Sequence, residues 1–271
     1  MTAKLAPPQE CKFTSAHDGT EQTYLLDMPP QLPAAGLMVY LHGATGHQDQ
    51  GMTAETFCDS FGFMRRWAAR HGWAYACPEY RGDCWMNAAA EADITQLAGI
   101  LRIQTQAPMF ILAGGSMGGT SALIYAARRP GMFDGVLSFC PATDMAELHE
   151  LSFLRDNISA AYGGDPRRKA EEYAARSTCL HAESLAQTPL YIVHGDVDAV
   201  LPVSQVRRLV EGLKRLHATY QYVEIAGGGH DAPLRPQYIQ QGLEWLIGRI
   251  AAVSAVQFPG RQAEQDHGQG T

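Results

Sequence analysis

Apolar and polar positions follow two rhythms along this chain. Residues 11–15 and 22–26 read as short strands on either side of a turn at His17-Asp18-Gly19, which predicts an N-terminal hairpin. Pro29, Pro30 and Pro33 make a surface connection, after which residues 36–42 form a continuous apolar run. Such a run is too short for a helix and suits a strand covered on both faces. From there strands and helices alternate. A helix is expected over 58–70, a strand over 73–77 and a helix over 87–104, where Ile94, Leu97 and Leu101 share one face. Next come a strand at 109–113, a helix at 117–129 and a strand at 135–139. The cycle resumes with a strand at 190–193, a helix at 203–216 and a strand at 221–225. A last helix over 237–253 turns Ile239, Leu243, Leu246 and Ile250 toward the sheet. This order predicts an α/β fold with a mainly parallel, doubly wound sheet.

Two stretches break the rhythm. Between Pro141 and Pro189 the sequence is polar or weakly helical, and a structureless loop of that length is improbable. A small helical cap over about 144–187 is expected instead, inserted after the strand at 135–139, folding over the carboxyl edge of the sheet and shaping the substrate pocket. From Pro259 to Thr271 there is no large apolar residue, so a disordered tail is expected after one domain spanning 1–258.

Composition narrows the function classes. With 271 residues, 46% of them hydrophobic, the chain can build a core without disulfide or metal staples. A net charge of −7 lacks the basic face of a nucleic-acid binder. No apolar stretch is long enough to span a bilayer, and the opening MTAKLAPPQE lacks a signal-peptide pattern. A soluble cytoplasmic protein with no membrane partner is therefore expected. Six scattered cysteines without C-x-x-C spacing argue against zinc, and no metal or other cofactor is expected. Cys77 and Cys84 would be disulfide candidates only in an exported protein.

The chemistry centres on Gly114-Gly115-Ser116-Met117-Gly118, a G-x-S-x-G motif between an apolar strand and a helix. A serine nucleophile must stand proud on a tight strand-to-helix turn, and flanking glycines relieve the crowding there. Gly114 to Gly119 also has phosphate-loop spacing, but Thr120 stands where that loop needs lysine. The serine requires a base, and the base an orienting acid. Asp196 and Asp198 lie in an acidic turn after one strand, and His230 in a glycine-rich loop after another. Both are at the carboxyl ends of predicted strands, where open parallel sheets place their sites. Either aspartate fits the acid's position on this reading.

In these residues the chain resembles the α/β-hydrolases, in particular the prolyl oligopeptidase and dienelactone hydrolase branches. His194-Gly-x-x-Asp198-x-x-x-Pro202 is similar to the acid turn of that group, with Leu201 in its valine position, and Tyr80-Arg81-Gly82 resembles a loop of the oligopeptidase branch. The likeness covers about residues 36–250. It points to Asp198 as the acid, with Asp196 shaping the turn. Ser116 departs from the cysteine of dienelactone hydrolases, and the oligopeptidase propeller has no counterpart in these residues. The resemblance implies an oxyanion hole made by the Met117 N–H and one from the loop after the first central strand. Ala44 is the expected donor there, with Thr45 as the alternative. His42 is expected to fix that loop, and Tyr80 and Trp85 to line the acyl or leaving-group pocket unless they serve as ordinary packing.

The expectation is a cofactor-independent serine hydrolase acting on a small-molecule carboxylic ester through an acyl-enzyme, with Ser116, His230 and Asp198 as its triad. A small serine peptidase is the first alternative. A non-catalytic scaffold would have no need of all three residues, and a haloalkane-type enzyme would carry Asp in place of Ser116.

Overall fold

The computed structural model describes residues 5–52, 60–151 and 153–257. The first alternating segments become β1 (Gln9–Thr14) and β2 (Glu21–Asp27), an antiparallel pair. The apolar run becomes β3 (Leu37–Leu41), buried at every residue. There follow α1 (Ser60–Arg70), β4 (Ala74–Pro78), α2 (Ala88–Thr105), β5 (Phe110–Gly115), α3 (Met117–Arg128) and β6 (Gly135–Phe139). The start expected for the first helix, at 58–59, and the expected C-terminal tail both lie outside the described residues. After the insertion come β7 (Leu190–Gly195), α8 (Val203–Arg215), β8 (Tyr220–Ile225) and α9 (Pro236–Gln257).

The eight strands form one sheet in the order β1-β2-β4-β3-β5-β6-β7-β8. β2 joins β4 antiparallel, and every pairing from β4 to β8 is parallel. The hairpin thus extends one edge, and the central strands are covered on both faces. Residues alternate between the two cores, as strand geometry requires: Val39 and Leu112 pack with Ile94, Leu97 and Leu209, while Met38 and Ile111 pack with Trp67, Leu243 and Leu246. Helices α2, α3 and α8 therefore cover one face, and α1 and α9 the other. Asn87 caps α2 by accepting the Ala90 N–H at 3.0 Å. Buried Glu91 ties α2 to α3 by pairing with both Arg128 and Arg129.

Two strands outrun their apolar sequence. β5 continues to Gly115, opposite Phe139, and β7 to Gly195, opposite Ile225. Glycine carries no side chain to signal burial, yet its backbone extends the ladder. A Cβ at Gly195 would lie 2.1 Å from the Gly228 carbonyl oxygen, so the absent side chain lets the acid turn and the following loop close on each other.

The stretch between β6 and β7 is helical: α4 (Met145–Leu151), α5 (Arg155–Tyr162), α6 (Ala170–Arg176), a single 3-10 turn at Thr178–Leu180 and α7 (Ala182–Leu185). Met145, Leu148, Ile158, Tyr162 and Tyr173 join the core on the α2–α3 side. Gln205 of α8 roots the stretch by accepting the N–H groups of Thr143 and Asp144, both at 3.1 Å.

Candidate active site

Ser116 sits between β5 and α3 with φ 56° and ψ −123°, a left-handed conformation that costs a serine strain. Its surroundings impose it. The Ser116 N–H donates to the Phe139 carbonyl, and its own carbonyl accepts the Thr120 N–H, both at 2.9 Å. The glycines let α3 begin against the sheet: a Cβ at Gly114 would meet the Gly118 carbonyl carbon at 2.3 Å, and one at Gly118 the Leu41 oxygen at 2.0 Å.

His230 is delivered by the loop after β8, where Gly227 takes a φ of 68°. Its Nδ1 lies 2.7 Å from Asp198 Oδ2 and its Nε2 3.0 Å from Ser116 Oγ. The carboxylate can only accept, which puts the ring proton on Nδ1 and leaves Nε2 to accept the serine hydroxyl proton. The Asp198 side chain is fully buried. Burial is the largest single influence on it and pushes its pKa upward. Hydrogen bonds from His194, His230 and the Leu201 N–H outweigh that push and hold the carboxyl well below its usual range. Asp198 Oδ1 accepts the Val200 and Leu201 N–H groups at 2.8 and 3.0 Å. Asp196 instead accepts the Gly227 N–H at 2.7 Å and shapes the turn.

Facing Ser116 is the loop after β3. The Gly43 N–H is taken by Gln50 Oε1 and the Thr45 N–H by Asp83 Oδ1, each at 2.6 Å. The N–H groups of Ala44 and Met117 have no partner among the described residues. His42 braces the loop from below, with ring nitrogens 2.8 Å from the Gly43 carbonyl oxygen and 2.9 Å from that of Glu79. Gly43, Ala44, Gln50, Ser116, His230 and Asp231 line a cleft of about 140 Å³.

The model of the prolyl oligopeptidase family matches residues 59–248. The chain belongs to the prolyl oligopeptidase family. Its sheet and flanking helices have the α/β-hydrolase fold. The uncharacterised peptidase YtmA of Bacillus subtilis is 25% identical to this family member over 139 residues, which are 50% of this chain and 54% of YtmA. The chain therefore spans about half the length of the curated relative it matches. Two solved structures share its fold at low identity. FphF, a fluorophosphonate-binding serine hydrolase of Staphylococcus aureus, has a TM-score of 0.69 at 16% identity, covering 89% of this chain and 99% of its own. An acylaminoacyl peptidase of Pyrococcus horikoshii also has a TM-score of 0.69, at 18% identity, covering 88% of this chain and 41% of its own.

Two expectations for the site of this oligopeptidase-family chain are corrected. Tyr80 and Trp85 do not line the cleft. Both are buried, with the Tyr80 hydroxyl donating to the His42 carbonyl at 2.7 Å and the Trp85 indole N–H donating to Asn157 of α5. Positive φ angles of 32° and 46° mark the tight turns that carry them. Conversely, Gln50, Asp83, Glu79 and His194 were not singled out as site residues by the sequence. Only His194 had a signal, its place four residues before Asp198. Its Nε2 lies 2.9 Å from the Leu201 carbonyl and 3.3 Å from Asp198 Oδ2, bracing the acid from the buried side. A larger cavity of about 410 Å³, lined by His149, Glu150, Arg155 and Asp165, lies within the inserted helices and shares no residue with the Ser116 cleft. Among the described residues no His, Cys, Asp or Glu cluster could hold a metal ion, and no helix is long and apolar enough to cross a membrane.

Proposed function

We propose that this chain hydrolyses small carboxylic esters through an acyl-enzyme on Ser116. The observation that carries the reading is the unbroken chain Asp198–His230–Ser116, with hydrogen bonds of 2.7 and 3.0 Å, on a cleft also lined by Ala44, whose N–H has no partner among the described residues. Ser116 Oγ attacks the ester carbonyl carbon while His230 Nε2 takes its proton. The carbonyl oxygen becomes an oxyanion held by the Ala44 and Met117 N–H groups. His230 then returns the proton to the departing alkoxide, which leaves as the alcohol. A water molecule, deprotonated by the same nitrogen, attacks the acyl carbon; the acid departs and Ser116 regains its proton.

The ester preference rests on the size of the cleft, about 140 Å³, which suits a short acyl group better than a peptide held on both sides of its scissile bond. The likeness to a fluorophosphonate-binding serine hydrolase over 99% of that chain adds support. The family and the name of the Bacillus relative favour a second reading, a serine peptidase. An amide nitrogen leaves poorly and must be protonated in place, so the two readings part on leaving groups. Labelling with a fluorophosphonate, followed by kcat/KM for p-nitrophenyl esters of graded length and for aminoacyl and prolyl anilides, tests both. We expect an adduct on Ser116 and faster turnover of a short ester than of any anilide. Folded protein without an adduct would overturn the mechanism, and a higher kcat/KM on anilides would assign the peptidase.

A further inference from the structure

We infer that Asn157, on helix α5 of the insertion, is a positioning residue for the oxyanion hole, acting through Asp83 on the loop that carries Ala44. The inference rests on the reading of Ala44 as an oxyanion donor. It starts from the strain in that loop. Thr45 has a φ of 61°, a conformation unusual for a β-branched residue, which relaxes unless its neighbours over-determine it. What holds it is the hydrogen bond from the Thr45 N–H to Asp83 Oδ1. With the Gly43 N–H fixed by Gln50, the peptides before and after the one that carries the Ala44 N–H are pinned, and of the N–H groups of residues 43–45 only that of Ala44 has no partner among the described residues.

Asp83 is itself held from the far side. Asn157 Nδ2 donates to Asp83 Oδ2 at 2.6 Å, and Asn157 Oδ1 accepts the indole N–H of Trp85. The amide is thereby locked in one orientation, since each of its ends meets a partner that can only accept or only donate. The relay Trp85–Asn157–Asp83–Thr45 joins the inserted helices to the oxyanion loop. It is reinforced where the Tyr162 hydroxyl donates to the Trp85 carbonyl and the Arg176 guanidinium to the Met86 carbonyl, both at 2.8 Å. The insertion thus acts on the candidate active site without lining its cleft.

An exchange of polarity tests this. Asn157→Asp keeps an acceptor for Trp85 but sets a carboxylate against that of Asp83, pushing the latter off the Thr45 N–H. Loss of a whole oxyanion donor costs about 10²–10³ in kcat, so a mis-aimed one should cost at least about tenfold, with KM changed by less than about twofold. The double exchange Asn157→Asp with Asp83→Asn restores one donor and one acceptor at the junction, and should return kcat to within about threefold of wild type. Wild-type protein is first labelled with a fluorophosphonate and the adduct mapped. Failure to label Ser116 would overturn the hydrolase reading and this inference with it. A labelled wild type with normal kcat in Asn157→Asp would overturn this inference alone. So would a double exchange no faster than the single, or a loss confined to KM or to the melting temperature.

Discussion

Replacing the Asp198 carboxylate with a carboxamide tests the orientation of His230 most directly, because the structure dictates which way the amide must face. Oδ1 accepts two backbone N–H groups, from Val200 and Leu201, while Oδ2 accepts from His230 Nδ1 and, at 3.3 Å, from His194. In Asp198→Asn one position becomes an NH2 donor. Placing it at Oδ1 would strand two buried N–H groups, at about 1–3 kcal/mol each, so the amide oxygen stays there and the NH2 faces His230. That donor stabilises the tautomer with Nδ1 bare and the proton on Nε2, which then cannot accept the proton of Ser116. A triad locked in the wrong tautomer loses about 10⁴ in kcat, or about 5.5 kcal/mol of barrier. Asp196→Asn keeps an oxygen for the Gly227 N–H and should change turnover by no more than about twofold. Steady-state hydrolysis of p-nitrophenyl acetate by both variants, with circular dichroism to verify folding, measures the contrast. The reasoning is refuted if folded Asp198→Asn keeps more than about a tenth of wild-type kcat, or if Asp196→Asn is the inactive variant.

Three further outcomes follow from packing and charge. Gly118→Ala drives a Cβ to 2.0 Å from the Leu41 oxygen and should cost about 3 kcal/mol, lowering the melting temperature by roughly 10 °C, whereas Gly99→Ala on an exposed face of α2 meets nothing within 4 Å and should raise it slightly; equal shifts in calorimetry would contradict this. The buried thiols of Cys77, Cys84 and Cys140, with that of Cys84 pushed up to about 12 by burial, should resist Ellman's reagent until the protein is denatured, and native labelling mapped to any of them would refute their burial. Arg207 and the Tyr222 hydroxyl hold the Glu224 carboxyl down to about 2 from an ordinary 4.5, so its contribution to stability is fully present above 4.5 and is lost as pH falls from there toward 2. Glu224→Gln should therefore lower the urea midpoint more at about pH 6 than at about pH 3, and an equal effect at both would rule the linkage out.

What was legible in the sequence is what leaves a local signature. β3, β5, β6 and β7 announce themselves because strands buried on both faces need unbroken apolar runs. The Ser116 turn is legible because its close approaches exclude side chains and so demand glycine. Asp198 and His230 drew notice by their places at strand ends, and the choice of Asp198 over Asp196 came from the likeness of the turn from His194 to Pro202 to the family's acid turn. Tyr80 and Trp85 were misjudged for a definite reason: an aromatic beside a loop looks the same in sequence whether it faces the cleft or the core, and here positive φ angles mark turns whose aromatic side chains are buried. The bracing of the loop after β3 was invisible, since Thr45–Asp83 and Asp83–Asn157 contacts span 38 and 74 positions and polar pairs at such distances follow no periodicity.

The conformation of Ser116 also bears on how such a protein would decay. A φ of 56° with ψ −123° is one that glycine adopts freely and any residue with a Cβ resists, at about 1–3 kcal/mol. At ordinary positions alanine gives a more stable fold than glycine; at 116 the order should invert, with Ser116→Gly melting above Ser116→Ala. Serine and glycine codons can differ by a single base. A lineage released from selection on turnover therefore has a one-step path to a better-folded, inactive descendant that keeps the sheet, the cleft and the donors around it. Selection for thermal tolerance alone would drive the gene along that path.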